Sequence, residues 1–210
     1  MSERPQLWIL VGGNGAGKST YHRLALEPLG LPFVNADVLA RIVFAEAPEA
    51  HSYEAAQLAE RQRHQLLEQG VSFCFETVYS HPSKIDFIAR AKALGYQVIM
   101  VLIHLECPGL NQARIGGRVS EGGHSVPADK VISRIPRLLE QVRASVPLVD
   151  VLRVYDNSSA VDPFVPVFTI TNGSLRLHRA PLPAWAAALL ADDFHWESQI
   201  LTPPAHDEQL

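Results

Sequence analysis

The junction between Leu7–Val11, LWILV, and the nine residues that follow, GGNGAGKST, constrains this chain more than any other feature. Gly12, Gly13, Asn14, Gly15, Ala16, Gly17, Lys18 and Ser19 fit G-x-x-x-x-G-K-[ST] in full, with Thr20 next. A fully apolar run before the motif reads as a central strand covered on both faces, and the residues after it read as a helix. Small residues let the backbone curl so that successive N–H groups point at phosphate oxygens, and the helix N-terminus adds a partial positive charge. The stretch Gly12 to Thr20 is therefore expected to hold ATP. Lys18 would pair with the β- and γ-phosphates, and the Ser19 hydroxyl would ligate Mg²⁺. A glycine-rich turn without a ligand would not need this string in this position.

Downstream, short apolar runs alternate with longer amphipathic ones, the pattern of β-α units and a parallel sheet. Strands are expected at LWILV, PFVNAD, VSFCFETV, QVIMVLIHL and VDVLRVYDN. Helices are expected at about 18–29, 38–47, 53–69 and 82–94, punctuated by Pro28, Gly30, Gly70 and Gly95. Residues 110–145 change character, becoming basic and polar, with GG twice and Arg114, Arg118, Arg134, Arg137 and Arg143. That composition suits a mobile lid. FVPVFTITNGSLRLH reads as a β-hairpin turning at Asn172-Gly173, where both central residues need positive φ. A short Ala-rich helix over about 183–192 follows, and the tail TPPAHDEQL has little means of packing. The expected fold is α/β: a P-loop NTPase of three α/β/α layers, with a mainly parallel five-stranded core sheet, a helical lid and a C-terminal β-hairpin. One domain, 1–210, is expected, with the lid at about 110–145 and the hairpin and helix at about 164–192.

Two carboxylates fall at strand ends. Asp37 ends the second strand and, in a parallel sheet, should face the same crevice as the loop. There it is a candidate to accept a proton from an attacking hydroxyl, or a cap for a helix starting at Val38. Glu76 ends the third strand, after a run of apolar residues, so it needs a polar partner or the crevice itself. Glu76 and the adjacent Thr77 are candidate substrate-binding residues, with a buried ion pair as the plain alternative for Glu76. Arg118 and Arg134 are candidates to neutralise the transferring phosphoryl group, whereas Arg137 and Arg143 suit a solvated helix face. His124, between glycines and Ser125, is a candidate substrate contact or a surface loop residue. Tyr155-Asp156-Asn157-Ser158 ends the fifth strand, either as an Asx-type turn or as a loop near the adenine.

Taken in order, GGNGAGKST, FVNAD, SFCFETVYSHPSK, GYQVIMVLIHLE, RVSEGGHSVP, SRIPR and YDNS resemble the zeta-toxin-like P-loop kinases. The match is to the chromosomal branch also labelled predicted ABC-type ATPases, and it runs from about Leu7 to Ser158. The pairing of FETV with GGHxVP is more specific than the loop alone. The resemblance implies a kinase-type sheet with a helical lid, and phosphorylation of a hydroxyl of UDP-N-acetylglucosamine by ATP. It implies Lys18 as the P-loop lysine, Asp37 as the base, Glu76 as a substrate ligand, and Arg118 and Arg134 as phosphate clamps. An antitoxin is the protein partner it implies. The loop departs from the toxins, which more often place Pro and Ser among the glycines, and the lid is compact.

Bulk properties narrow the classes further. A net charge of -4 and the lack of a basic-aromatic groove disfavour nucleic acid and a polynucleotide kinase. No N-K-x-D element points to guanine, no LSGGQ points to a transporter ATPase, and Glu106 is a poor match to a strand ending in paired acids. Cys74 and Cys107 sit in or beside apolar runs, as thiols in a reducing cytosol do. No apolar run reaches the ~20 residues of a membrane span. The chain reads as a cytoplasmic, ATP- and Mg²⁺-dependent kinase of a small-metabolite hydroxyl, with a UDP-N-acetylsugar as the acceptor that the resemblance implies. A regulatory ATP-binding or ATPase module with no small-molecule acceptor remains the open alternative.

Overall fold

The computed structural model describes residues 4–120 and 127–190, apart from the side chains at 118–120 and 128. Seven strands form one sheet in the order β2-β3-β1-β4-β5-β6-β7. They are β1 Gln6–Val11, β2 Phe33–Val34, β3 Phe73–Thr77, β4 Gln97–His104, β5 Val151–Asp156, β6 Val165–Thr171 and β7 Ser174–Leu177. The first five run parallel, and β6 and β7 are antiparallel additions on one edge. The hairpin turns where expected, with φ 48° at Asn172 and 83° at Gly173. It prolongs the main sheet instead of standing apart from it.

β1 is the middle one of the five parallel strands, its side chains alternating between two cores. Leu7, Ile9 and Val11 pack with residues of α3 (Ser52–Glu68), α4 (Ser83–Ala93) and α6 (Ala128–Ser145). Trp8 and Leu10 pack on the other face with Tyr21 and Leu26, from α1 (Lys18–Tyr21) and the turns after it. Those turns replace the single helix expected to Leu29: a π-helical turn spans His22–Leu26 and a 3₁₀ turn Glu27–Leu29. Pro28 lacks the N–H that would continue the ladder, and Gly30 leaves it with φ 65°. The remaining helices are α2 Ala36–Val43, α5 Pro108–Ser120 and α7 Ala184–Ala187.

α2 begins two residues earlier than expected because Asn35 caps it. The Asn35 Oδ1 accepts from the N–H groups of Asp37 at 2.8 Å and Val38 at 3.3 Å. Asp37 is therefore not the cap; it sits in the first turn, free of that duty. α5 and α6 make up the lid region, with Leu138 and Val142 of α6 fully buried. The expectation for His124, and those for the end of the last helix and the tail, lie outside the described residues. No helix among the described residues is long and apolar enough to cross a membrane.

Candidate active site

The parallel strands deliver their carboxyl ends to one rim, and the loop between β1 and α1 sits on it. Gly15 and Gly17 adopt φ 76° and 101°, a region closed to most side chains. A Cβ on Gly17 would also strike the Asn157 amide, and one on Gly15 would lie 2.7 Å from the Asn111 carbonyl oxygen. Those two asparagines brace the loop from opposite sides. The Asn111 Nδ2 donates to the Asn14 carbonyl at 2.7 Å, and the Asn157 Nδ2 donates to the Ala16 carbonyl at 2.8 Å. The Asn157 Oδ1 accepts from the Phe164 N–H at 3.2 Å, tying the loop after β5 to the same device. Within the loop the Ala16 N–H donates to Gly13 O at 3.1 Å, while no acceptor among the described residues takes the N–H groups of Gly15, Gly17, Lys18 or Ser19. Unengaged amides at a helix N-terminus fit an anion such as a phosphate chain.

Lys18 is buried, its ammonium donating to Gly12 O at 2.8 Å and Gly13 O at 3.0 Å. It also lies 3.6 Å from Glu76 Oε1. The other Glu76 oxygen accepts from the Ser19 hydroxyl and the Asn35 Nδ2, both at 3.0 Å. Glu76 thus joins the loop lysine, the loop serine and the cap of α2. Both alternatives for this residue meet here: it has its ion pair and it faces the crevice. The oxygen donors of Ser19 and Glu76 suit a hard cation such as Mg²⁺. Among the described residues no group of three or more His, Cys, Asp or Glu could hold a metal by itself. A cation here would take its other ligands from phosphate and water, as Mg²⁺ commonly does.

Two cavities open on either side of Lys18 and Glu76. The smaller, about 420 Å³, is lined by Gly15, Gly17, Ser19 and Thr20, and by Arg114, Asn157, Pro163 and Phe164 farther out. Phosphates at the loop would leave a base near the Phe164 ring. The larger, about 700 Å³, is lined by Asn14, Asp37, Thr77 and Arg134 together with residues of α3 and α4. Asp37 is exposed there. Thr77 lines it too, while its hydroxyl accepts from the Tyr79 N–H at 3.0 Å. Gly12, Gly13 and Ala16 of the loop are buried.

Arginines of α5 and α6 reach both cavities. Arg134 lines the larger cavity and Arg114 the smaller, while Arg118 lies on α5 with its side chain outside the described residues. Arg137 and Arg143 are exposed, in keeping with a solvated face. The YDNS segment forms the Asx-type turn. Asp156 Oδ1 accepts from Ser158 N at 2.9 Å, an Asx turn, and Asn157 braces the loop.

Several site residues carried no sequence signal. Asn35 and Asn111 are ordinary polar residues until the fold brings them to Glu76 and the loop. Tyr79 is fully buried with φ 61°. Its hydroxyl lies 2.6 Å from Ser145 Oγ, which itself donates to Gln141 O at 2.7 Å, so Tyr79 must be the donor. Burial pushes that phenol up to about 12. The contact ties the end of the acid-bearing β3 to α6.

Comparison with known proteins places this geometry. A Haemophilus influenzae protein described only as uncharacterized is 28% identical over 135 residues, covering 61% of this chain and 96% of that protein. Among solved structures, the AvrRxo1-ORF1:-ORF2 complex with ATP superposes with a TM-score of 0.64 at 19% identity. The alignment covers 81% of this chain and 59% of that one, so this chain spans little more than half of the larger protein. The PezAT chromosomal toxin-antitoxin system of Streptococcus pneumoniae gives 0.58 at 19% identity, covering 80% and 72%. A putative kinase from Chloroflexus aurantiacus gives 0.54 at 20% identity, covering 74% and 90%. These likenesses establish the P-loop kinase fold. The zeta toxin family model matches residues 1–162, three quarters of the sequence, and with the complete phosphate-binding loop this makes the chain a nucleotide-dependent, kinase-like member of the zeta toxin family.

Proposed function

We propose that the protein is an ATP-dependent phosphotransferase that moves the γ-phosphoryl group to a hydroxyl of a small metabolite, a UDP-N-acetylsugar being the acceptor class that family membership favours. The observation that carries this reading is the pair of cavities meeting at Lys18 and Glu76, with Asp37 on the wall of the larger one. A donor and an acceptor held in separate chambers with one common wall can react in line, and an ATP-hydrolysing switch has no need of the second chamber.

In this reading the loop amides and Lys18 hold the β- and γ-phosphates, and Ser19 and Glu76 hold Mg²⁺ or its waters. Bound Mg²⁺ supplies neutralisation of the phosphate charge. Asp37 takes the proton of the acceptor hydroxyl as its oxygen bonds to the γ-phosphorus. The bridging P–O bond breaks and ADP leaves. Arg134, with Arg118 from α5, neutralises charge on the transferring group, and Thr77 and His124 belong to the acceptor's surroundings. An antitoxin-type protein is the macromolecular partner of this reading, by analogy with the PezAT system. Affinity capture from the native host tests it, and recovery of the chain with no stoichiometric partner would remove it.

The enzymatic reading is tested with γ-labelled ATP, Mg²⁺ and either UDP-N-acetylglucosamine or a metabolite extract, followed by mass spectrometry. A phosphorylated metabolite is the expected product, and free phosphate alone would favour the regulatory ATPase. Asp37→Asn should lower kcat by roughly 10²- to 10⁴-fold with ATP affinity unchanged, since only the proton acceptor is lost. Full turnover by that variant would remove Asp37 as the base.

A further inference from the structure

Lys18 and Arg63 are the two buried Lys or Arg side chains among the described residues. Lys18 has its carbonyls and Glu76. Arg63, on α3, has no such company: it donates no hydrogen bond among the described residues, its Nε is buried without a partner, and its guanidinium lies 5.1 Å from the centre of the Phe75 ring. Burying a guanidinium is costly unless charge-assisted hydrogen bonds offset it, and a ring face offsets only part. Burial accordingly holds its pKa below the usual arginine value, with Glu60 acting the other way.

Arg63 lines the 700 Å³ cavity, and so does Lys84 of α4, which is half-buried. Burial, and next the positive charge of Arg63, lower the Lys84 ammonium as well, against the pull of Glu60. Glu60 is the acid whose charge acts on both cations, yet it is exposed and forms no ion pair with either among the described residues. Other acids on the cavity wall are committed or apart: Glu76 belongs to Lys18, Ser19 and Asn35, and Asp37 is on α2. Ser52, Ala56, Glu60 and Arg63 line the cavity from one face of α3, so it follows that helix for about 16 Å. A chamber of this reach has room for a molecule whose reacting hydroxyl and charged group are well separated.

We propose that Arg63 and Lys84 form an oxyanion subsite in the larger cavity, where they hold a phosphate or carboxylate group of the acceptor and select an anionic alcohol over a neutral one. The proposal rests on reading that cavity as the acceptor site. It adds two binding residues to that reading and makes the acceptor's negative charge a condition of binding.

The test is equilibrium binding by calorimetry on the full chain with the loop filled by Mg²⁺ and a non-hydrolysable ATP analogue, so that probes cannot enter the donor site. Inorganic phosphate and malonate serve as probes. At least one should bind the wild-type protein, and Lys84→Met and Arg63→Met should each weaken it about tenfold while the affinity for the analogue stays constant. Binding of phosphate alone identifies a phosphorylated acceptor, and of malonate alone a carboxylic acid. If neither probe binds, or if both variants bind as the wild type does, the subsite is refuted. Should Arg63→Met lose its cooperative melting, Lys84→Met, whose side chain is half-buried, decides alone. The readout needs no turnover: anion binding without phosphoryl transfer would refute the kinase reading only. Transfer whose acceptor KM is unchanged in both variants would refute the subsite only.

Discussion

The two cavities are built in opposite ways. The smaller cavity, the donor side in the proposed reading, is made mostly of backbone: consecutive residues of one loop, two left-handed glycines and two asparagine amides that hold carbonyls in place. The larger cavity, the acceptor side in that reading, is made of side chains brought from α2, α3, β3, α4 and α6, segments spread over about a hundred residues. A backbone cradle fails when its geometry is altered, whereas a side-chain chamber can lose one contact and keep the rest. It can also change its ligand while the sheet stays the same.

The largest effect on ligand binding should come from Gly17→Ala, which forces a Cβ into a left-handed conformation and against Asn157. About 1–3 kcal/mol of strain is expected, with nucleotide affinity reduced about 100-fold, while anion binding in the larger cavity persists. Calorimetry with the ATP analogue checks this, and equal losses in both cavities would break the contrast. Next is acid sensitivity beneath the donor side. His104, at the end of β4, is buried against Trp185, and burial lowers its pKa to about 4, against the raising effect of Asp156. The unfolded chain binds the proton more readily between about 4 and 6.5, so stability is complete above that window and falls as pH drops through it. Roughly 3 kcal/mol should be lost by pH 4, and His104→Leu should flatten the slope in chemical denaturation across pH.

Smaller is Asn157→Ala, which removes the bonds to Ala16 O and from Phe164 N. A tenfold rise in the KM for ATP with little change in kcat is expected from about 1–2 kcal/mol of lost bracing. Smallest is Tyr79→Phe, which strips one buried hydroxyl from the Ser145 contact. Thermal denaturation should show about 1 kcal/mol of destabilisation, and nucleotide affinity should not move.

The same contrast explains what the sequence could disclose. Gly12 to Thr20 is contiguous and its chemistry is local, so the string and its place after LWILV were enough. Alternating periods placed the strands along the chain though not their order in the sheet, and Asn172-Gly173 announced its turn. Glu76 was legible because strand ends in a parallel sheet share a rim, whereas Asp37, expected to end the second strand, sits in the first turn of α2, since β2 stops at Val34 and Asn35 caps the helix. Asn111, Asn35 and Arg63 were not, because each is an unremarkable polar residue on a helix or at its start until packing decides which way it faces. The single helix expected over 18–29 shows the reverse limit: amphipathic spacing was present, but the missing N–H of Pro28 turned its end into tighter and looser turns.

Glu76 touches the loop lysine and serine with one carboxylate and lines both chambers with it. Whatever alters its hydrogen bonds on one side alters the free energy of occupancy on the other, and such coupling is reciprocal. The factor by which nucleotide changes acceptor affinity is the factor by which acceptor changes nucleotide affinity. A single side chain thus sets the cooperativity of the pair, and Glu76→Gln should alter that interaction constant more than either affinity measured alone, as a two-ligand binding cycle would read.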